Sequence, residues 1–235
     1  MSTDLGQPAS EAQVVPFPVR EWNSLVHGFV DRAVFFANQA RDPQDIHDAW
    51  RTFRVWLSSW IDYNSDDWRL FLVWYVFHWQ PLELALEKDQ ASGSIAEQFA
   101  KACPEEVSAA ERKMLVTATT NPLDFYEIYE FPELGCYYVK SLFLGYQHSY
   151  AFNDLPEGLK VGDIFFGKLI HFQDDRGVIA GHSRPFPPTA KIAIAYMRRH
   201  LIKGRKEEFI TNFALFDSDL FNLYHDLLDG KELNA

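Results

Sequence analysis

Between Trp68 and Trp79 the chain reads WRLFLVWYVFHW, and only Arg69 and His78 interrupt the apolar run. At about 100° per residue those two point to opposite sides of a helix, so no continuous polar face remains. A helix that is apolar all round belongs inside a packed bundle or in a membrane. The run is too short for a bilayer, which needs about 20 apolar residues. It therefore reads as the buried central helix of a soluble domain. Ser65 or Asn64 is placed to cap it, and Asp66 and Asp67 suit its positive N-terminal end.

The segments before and after this run also repeat at helical spacing. Pro18 fits a first helical turn, and Trp22, Leu25, Val26, Phe29, Ala33, Phe36, Ala37 and Ala40 share one face beyond it. Gly28 interrupts that helix at a cost of about 1 kcal/mol, which suggests the close approach of a neighbouring helix. Arg41-Asp42-Pro43 breaks the pattern. A second helix carries Ile46, Trp50, Phe53, Leu57 and Trp60. Gln80-Pro81 ends the central helix, Leu82 to Glu87 makes a short helical turn, and Ile95 to Ala102 is a helix stopped by Pro104. Ser108 and Glu111 form the capping box of another, which Asn121-Pro122 closes.

The period then changes. Phe125 to Phe131, Cys136 to Phe143, Tyr146 to Phe152, Asp163 to Phe172 and Val178 to Ser183 are short aromatic and β-branched runs separated by turn residues, with Asp174 to Gly177 as a hairpin signal. They imply a small antiparallel β barrel or sheet. Thr189 to Ile202, Lys206 to Leu215 and Ser218 to Leu228 read as C-terminal helices. The expected fold class is α+β. It comprises a flexible tail over 1–17, an aromatic-rich helical bundle over 18–122, a β barrel or sheet over 123–188, and helices over 189–235 that pack on the rest.

Composition bounds the function. In the 235 residues, aromatics make up 16% and the net charge is -11, so a packed core is expected and nucleic acid or anionic lipid is repelled overall. Cys103 and Cys136 are too few for a disulfide scaffold and lack zinc spacing. Residues 1–16 have no basic start followed by an apolar core, so the chain reads as cytoplasmic, with no membrane partner.

One resemblance emerges from the order of features. The aromatic helix Trp74 to Pro81 is followed by Glu111-Arg112, a strand starting Tyr126-Glu127-Ile128, the turn Leu159 to Asp163, and a strand carrying Gly167-Lys168-Leu169. Over about residues 66–203 this resembles a group of bacterial proteins that often carry a C-terminal SEC-C metal-binding motif. The motif itself is a Cys- and His-containing zinc knuckle, and Leu227 to Ala235 holds no Cys, so a zinc function does not carry over.

Two sets of residues are candidates for binding. Arg184, Lys191, Arg198, Arg199, Lys203, Arg205 and Lys206 are cations with no Asp or Glu between Arg184 and Lys206. They suit either the negative end of a helix or an anionic partner, including nucleic-acid phosphates. Tyr129, Tyr138, Tyr146 and Tyr150, with Tyr126, Tyr137 and Phe152 beside them, build a barrel core or a stacking surface. His148, His171 and His182 fall on neighbouring strands near Asp163, Asp174 and Asp175 without a spacing that forces them together, and no metal, cofactor or catalytic residue is assigned. His78 reads as a hydrogen-bonded core histidine. Phe35, Val55 and Trp56 fall off the apolar faces of their helices, which points to a protein partner or a second copy of the chain. The expectation is a non-enzymatic protein-binding module that uses an aromatic helical or barrel surface. Nucleic-acid binding through the barrel and basic cluster is the alternative, and a metal-dependent enzyme is third.

Overall fold

The computed structural model describes residues 19–55, 60–63, 65, 67–80, 93–131, 136–143, 150–152, 155–172, 177–202 and 217–230. The expected tail, the turn at Leu82 to Glu87, the hairpin turn residues Asp174 to Arg176 and the helix at Lys206 to Leu215 lie outside these residues.

The helices are α1 Val19–Ala40, α2 Pro43–Phe53, α3 Trp68–Phe77, α4 Ile95–Ala102, α5 Ala109–Thr120, α6 Ala190–Ile202 and α7 Asp217–Leu228. The strands are β1 Leu123–Phe131, β2 Cys136–Ser141, β3 Tyr150–Phe152, β4 Ile164–His171 and β5 Gly177–His182. Local chemistry accounts for several boundaries. Asp42 accepts a hydrogen bond from the Gln44 N–H, and Pro43 opens α2. Ser94 with Glu97, and Ser108 with Glu111, form complete capping boxes on α4 and α5. Glu111 also takes the Arg32 guanidinium at 2.6 Å, which fastens α1 to α5.

Two local expectations are corrected. At the start of α3 the capping position is Asp67, which makes no side-chain cap bond. Its carboxylate instead takes Arg54 at 2.6 Å and the Tyr224 hydroxyl, while the Ser65 hydroxyl has no partner among the described residues. A tertiary ion pair has replaced a local cap. At Gly28 no neighbouring helix approaches among the described residues, where only the Arg32 side chain of the same helix lies near the position a Cβ would take.

Every residue of α3 from Leu70 to Phe77 is buried. The helix packs against α1, α2 and α4 on one side and against β4 and β5 on the other. It rides so closely on β5 that a Cβ at Gly181 would sit 3.1 Å from the Leu70 Cα. Its two polar interruptions lie at its opposite ends. Arg69 reaches Asp31 of α1 at 3.2 Å, and His78 forms the C-cap.

The sheet is antiparallel throughout, in the order β3-β2-β1-β4-β5. Its edge strands β3 and β5 come within contact range without pairing among the described residues. The expected barrel is therefore an open, curled sheet. Strand alternation divides it into two faces. Phe125, Ile164, Phe166 and Ile170 join the helical core, whereas Tyr126, Ile128, Val139, Phe165, Leu169 and Ile179 form a second cluster covered by Leu155 and Leu159. Gly162, at φ 87°, makes the turn into β4, and its N–H donates to the Ile128 carbonyl at 2.9 Å.

One hydrophobic core unites α1 to α5, the inner sheet face and α7. Phe221 and Tyr224 of α7 meet Phe53 of α2 and Phe166 of β4. Among the described residues, no helix is long and apolar enough to cross a membrane.

Candidate functional site

The β1–β2 ladder pairs Glu127 with Lys140 and Tyr129 with Tyr138. Paired residues, and residues two apart on a strand, share a face, so these four side chains belong to one surface. Helix α6 lies beside it. Ala190 and Ile194 are its buried anchors, and Lys191, Ala195 and Arg198 recur at helical spacing on the side toward β2. Between helix and strand is a concavity of about 400 Å³ lined by Lys140, Ser141, Leu142, Lys191, Ile194, Ala195 and Arg198.

The Lys191 ammonium is ion-paired with Glu127, whose carboxylate is buried. The Tyr129 hydroxyl donates to the other oxygen of the same carboxylate. Burial and the adjoining Glu127 push the Tyr129 phenol up to about 12. Lys140 and Arg198 have no carboxylate partner among the described residues. A second buried carboxylate, Asp124, belongs to the opposite sheet face. It takes the Ser141 hydroxyl and the N–H groups of Phe125 and Phe143.

Glu127 thus brings together two groups that are far apart in sequence, one barrel tyrosine and the basic cluster. Of that cluster, Lys191 and Arg198 line the concavity, and Arg199 is exposed on α6 outside its lining. Arg184 is spent elsewhere, donating to the Leu228 carbonyl at the end of α7 at 2.9 Å, where a cation complements the helix dipole. Lys203, Arg205, Lys206 and Tyr146 lie outside the described residues. Tyr150 pairs through its backbone with Val139, and its side chain is likewise outside them. Sequence reading missed Lys140 and Glu127. The available signal was the hairpin register, because closing the pair Phe131–Cys136 sets Glu127 opposite Lys140.

Beside the concavity, α6 exposes two apolar residues at i, i+4 spacing, Ile192 at 70% and Tyr196 at 38%. Elsewhere Trp60 is 84% exposed, Tyr63 61% and Phe35 66%. Phe35 is therefore off the core face, as its spacing implied. Val55 is half-buried against the core with φ 49°, and Trp56 lies outside the described residues.

A second polar group occupies the interior. The fully buried Lys168 places Nζ 2.5 Å from His78 Nε2. Asp217, the first residue of α7, takes the Trp74 indole N–H at 2.9 Å. Burial pushes Lys168 well below its ordinary value, with the Asp217 charge opposing, and it pushes the Asp217 carboxyl up to about 7, with Trp74 and Lys168 opposing. Burial and Lys168 hold His78 well below the usual imidazole range. This junction ties β4, the end of α3 and α7 together. Among the described residues no group of three His, Cys, Asp or Glu side chains is placed to hold a metal ion.

Set against known proteins, the chain matches no family model, no curated protein and no solved structure.

Proposed function

We propose that this chain is a protein-binding module that docks an acidic segment of a partner protein on the β1–β2 and α6 surface. The observation that carries this reading is the convergence of Lys140, Lys191 and Arg198 on one concavity in a chain of net charge -11. A local basic site on an acidic protein favours a localised anion over a long polyanion, which the remaining surface repels. Ile192 and Tyr196 add an apolar strip beside the charges, suited to hydrophobic residues within the same segment.

The test is fluorescence anisotropy with a labelled Glu- and Leu-containing peptide, run in parallel with a labelled oligothymidylate. The peptide is expected to bind, and Lys140→Glu and Arg198→Glu should each weaken it by about tenfold, or about 1.4 kcal/mol. Both side chains lie on the surface, so thermal unfolding should stay within about 0.5 kcal/mol of wild type. If the oligonucleotide binds instead, with affinity falling steeply between about 50 and about 200 mM salt, the nucleic-acid reading replaces this one.

A further inference from the structure

A competitor for the ligand of the concavity is buried beside it. Lys191 is held by Glu127, and Lys140 stands directly opposite Glu127 across the ladder. Glu127 is buried, and its other oxygen accepts from Tyr129. A carboxylate entering from solvent must therefore displace, or share Lys191 with, a tethered anion that is already desolvated. Tethering gives such a competitor a high effective concentration.

The charges can be counted. Among the described residues, Lys140, Lys191 and Arg198 supply three positive charges and Glu127 removes one, which leaves two. Asp124 belongs to the other sheet face, where it accepts from the Ser141 hydroxyl and the Phe125 and Phe143 N–H groups. One carboxylate compensates half of that excess. A phosphoryl monoester carries roughly -1.5 to -2 at pH 7 and offers three acceptor oxygens, so it matches the excess and can engage three cations at once. A nucleic-acid phosphodiester carries one charge and leaves the same mismatch as a carboxylate.

Resting on the docking surface proposed above, we infer that the site selects a phosphorylated acidic segment, because Lys140, Lys191 and Arg198, less the one charge that Glu127 removes, match a phosphoryl dianion.

The experiment uses three labelled peptides identical except at one position, which is Ser, Glu or phosphoserine, titrated against the wild-type chain, Glu127→Gln and Lys191→Met. For wild type, phosphoserine should bind about tenfold tighter than Glu. In Glu127→Gln the excess rises to three, so both peptides should tighten, the doubly charged phosphoserine peptide more than the Glu peptide, and the preference should widen. In Lys191→Met, two cations face one carboxylate, the excess falls to one, and the preference should collapse. Lys191 is 45% exposed, so this variant keeps a readout even if Glu127→Gln folds poorly. Equal wild-type affinity for the Glu and phosphoserine peptides overturns the selectivity. An unchanged ratio in both variants overturns the role of Glu127. If no peptide binds the wild-type chain, the docking surface itself is wrong, and the inference falls with it.

Discussion

Lys168 Nζ lies 2.5 Å from His78 Nε2, and the other contact of the imidazole is to the Asn121 backbone. A lysine ammonium can only donate. With Lys168 donating, Nε2 is the acceptor, and the ring is neutral with its proton on the nitrogen facing Asn121. The strand neighbours opposite Lys168 are Leu123 and Gly181, neither of them titratable. The charged partner is Asp217 of α7. The stability of this junction consequently depends on how many protons three groups share.

Asp217 and His78 should respond to pH with opposite signs. The Asp217 carboxyl is raised from 3.8 to about 7 in the fold, so it contributes stability that is complete below about 4 and is lost as pH rises through 7. In urea titrations, Asp217→Asn should gain on wild type between pH 4 and pH 8. His78 is lowered from 6.5. The unfolded chain takes up its proton first, so that contribution is lost as pH falls below 6.5. His78→Gln should accordingly lose less stability than wild type between pH 7 and pH 5. Parallel curves for wild type and either variant would contradict the assignment for that residue.

Removing one partner of a buried charged group leaves the other uncompensated, at a cost of about 3 to 5 kcal/mol. Lys168→Met is expected in that range. Lys168→Met combined with Asp217→Asn should cost clearly less than the sum of the two single changes, because the double variant buries neither charge. Strict additivity in chemical unfolding would show that the two side chains do not interact.

Trp74 is 2% exposed and packs against Phe53, Phe71, Trp79 and Phe221. Trp74→Ala should destabilise the chain by about 3 to 5 kcal/mol. Trp74→Phe keeps much of the ring packing and loses the indole N–H to Asp217, so it should cost about 1 to 3 kcal/mol. Thermal unfolding of the two variants separates packing from the hydrogen bond.

Gly181 faces the Leu70 Cα at 3.1 Å and the Val73 side chain at 3.3 Å from the point where a Cβ would sit. Gly181→Ala must push α3 away from β5. The expected cost is about 1 to 3 kcal/mol, read as a lower unfolding midpoint. An unchanged midpoint would mean that α3 and β5 are not in close contact.

The helices were legible because their signals are local. The apolar run at Trp68 to Trp79 marked α3 as buried, and Ser108 with Glu111 announced the start of α5. The strands were legible from their aromatic runs, but their closure was not, because curl depends on the whole ladder and on the irregularity between Lys168 and Leu169. The binding surface was half legible. The segregation of cations marked Lys191 and Arg198, while Glu127, 64 positions from Lys191, reaches it only through tertiary packing. Lys168 left a trace, a lone cation in the strand IFFGKLIH. On a sheet covered on both faces, such a residue has nowhere to point but inward.

Helix α7 closes the aromatic core through contacts that span most of the chain. Tyr224 bonds Asp67 across 157 positions, and His225 bonds the Phe53 carbonyl across 172. Contacts of such separation form late, because chain entropy must be lost before they repay it. During synthesis, α2 and α3 leave the ribosome long before α7 exists to cover Phe53 and Trp74. Through that interval the nascent chain displays an aromatic face that a chaperone can hold. A stop codon anywhere before Asp217 would make that temporary exposure permanent.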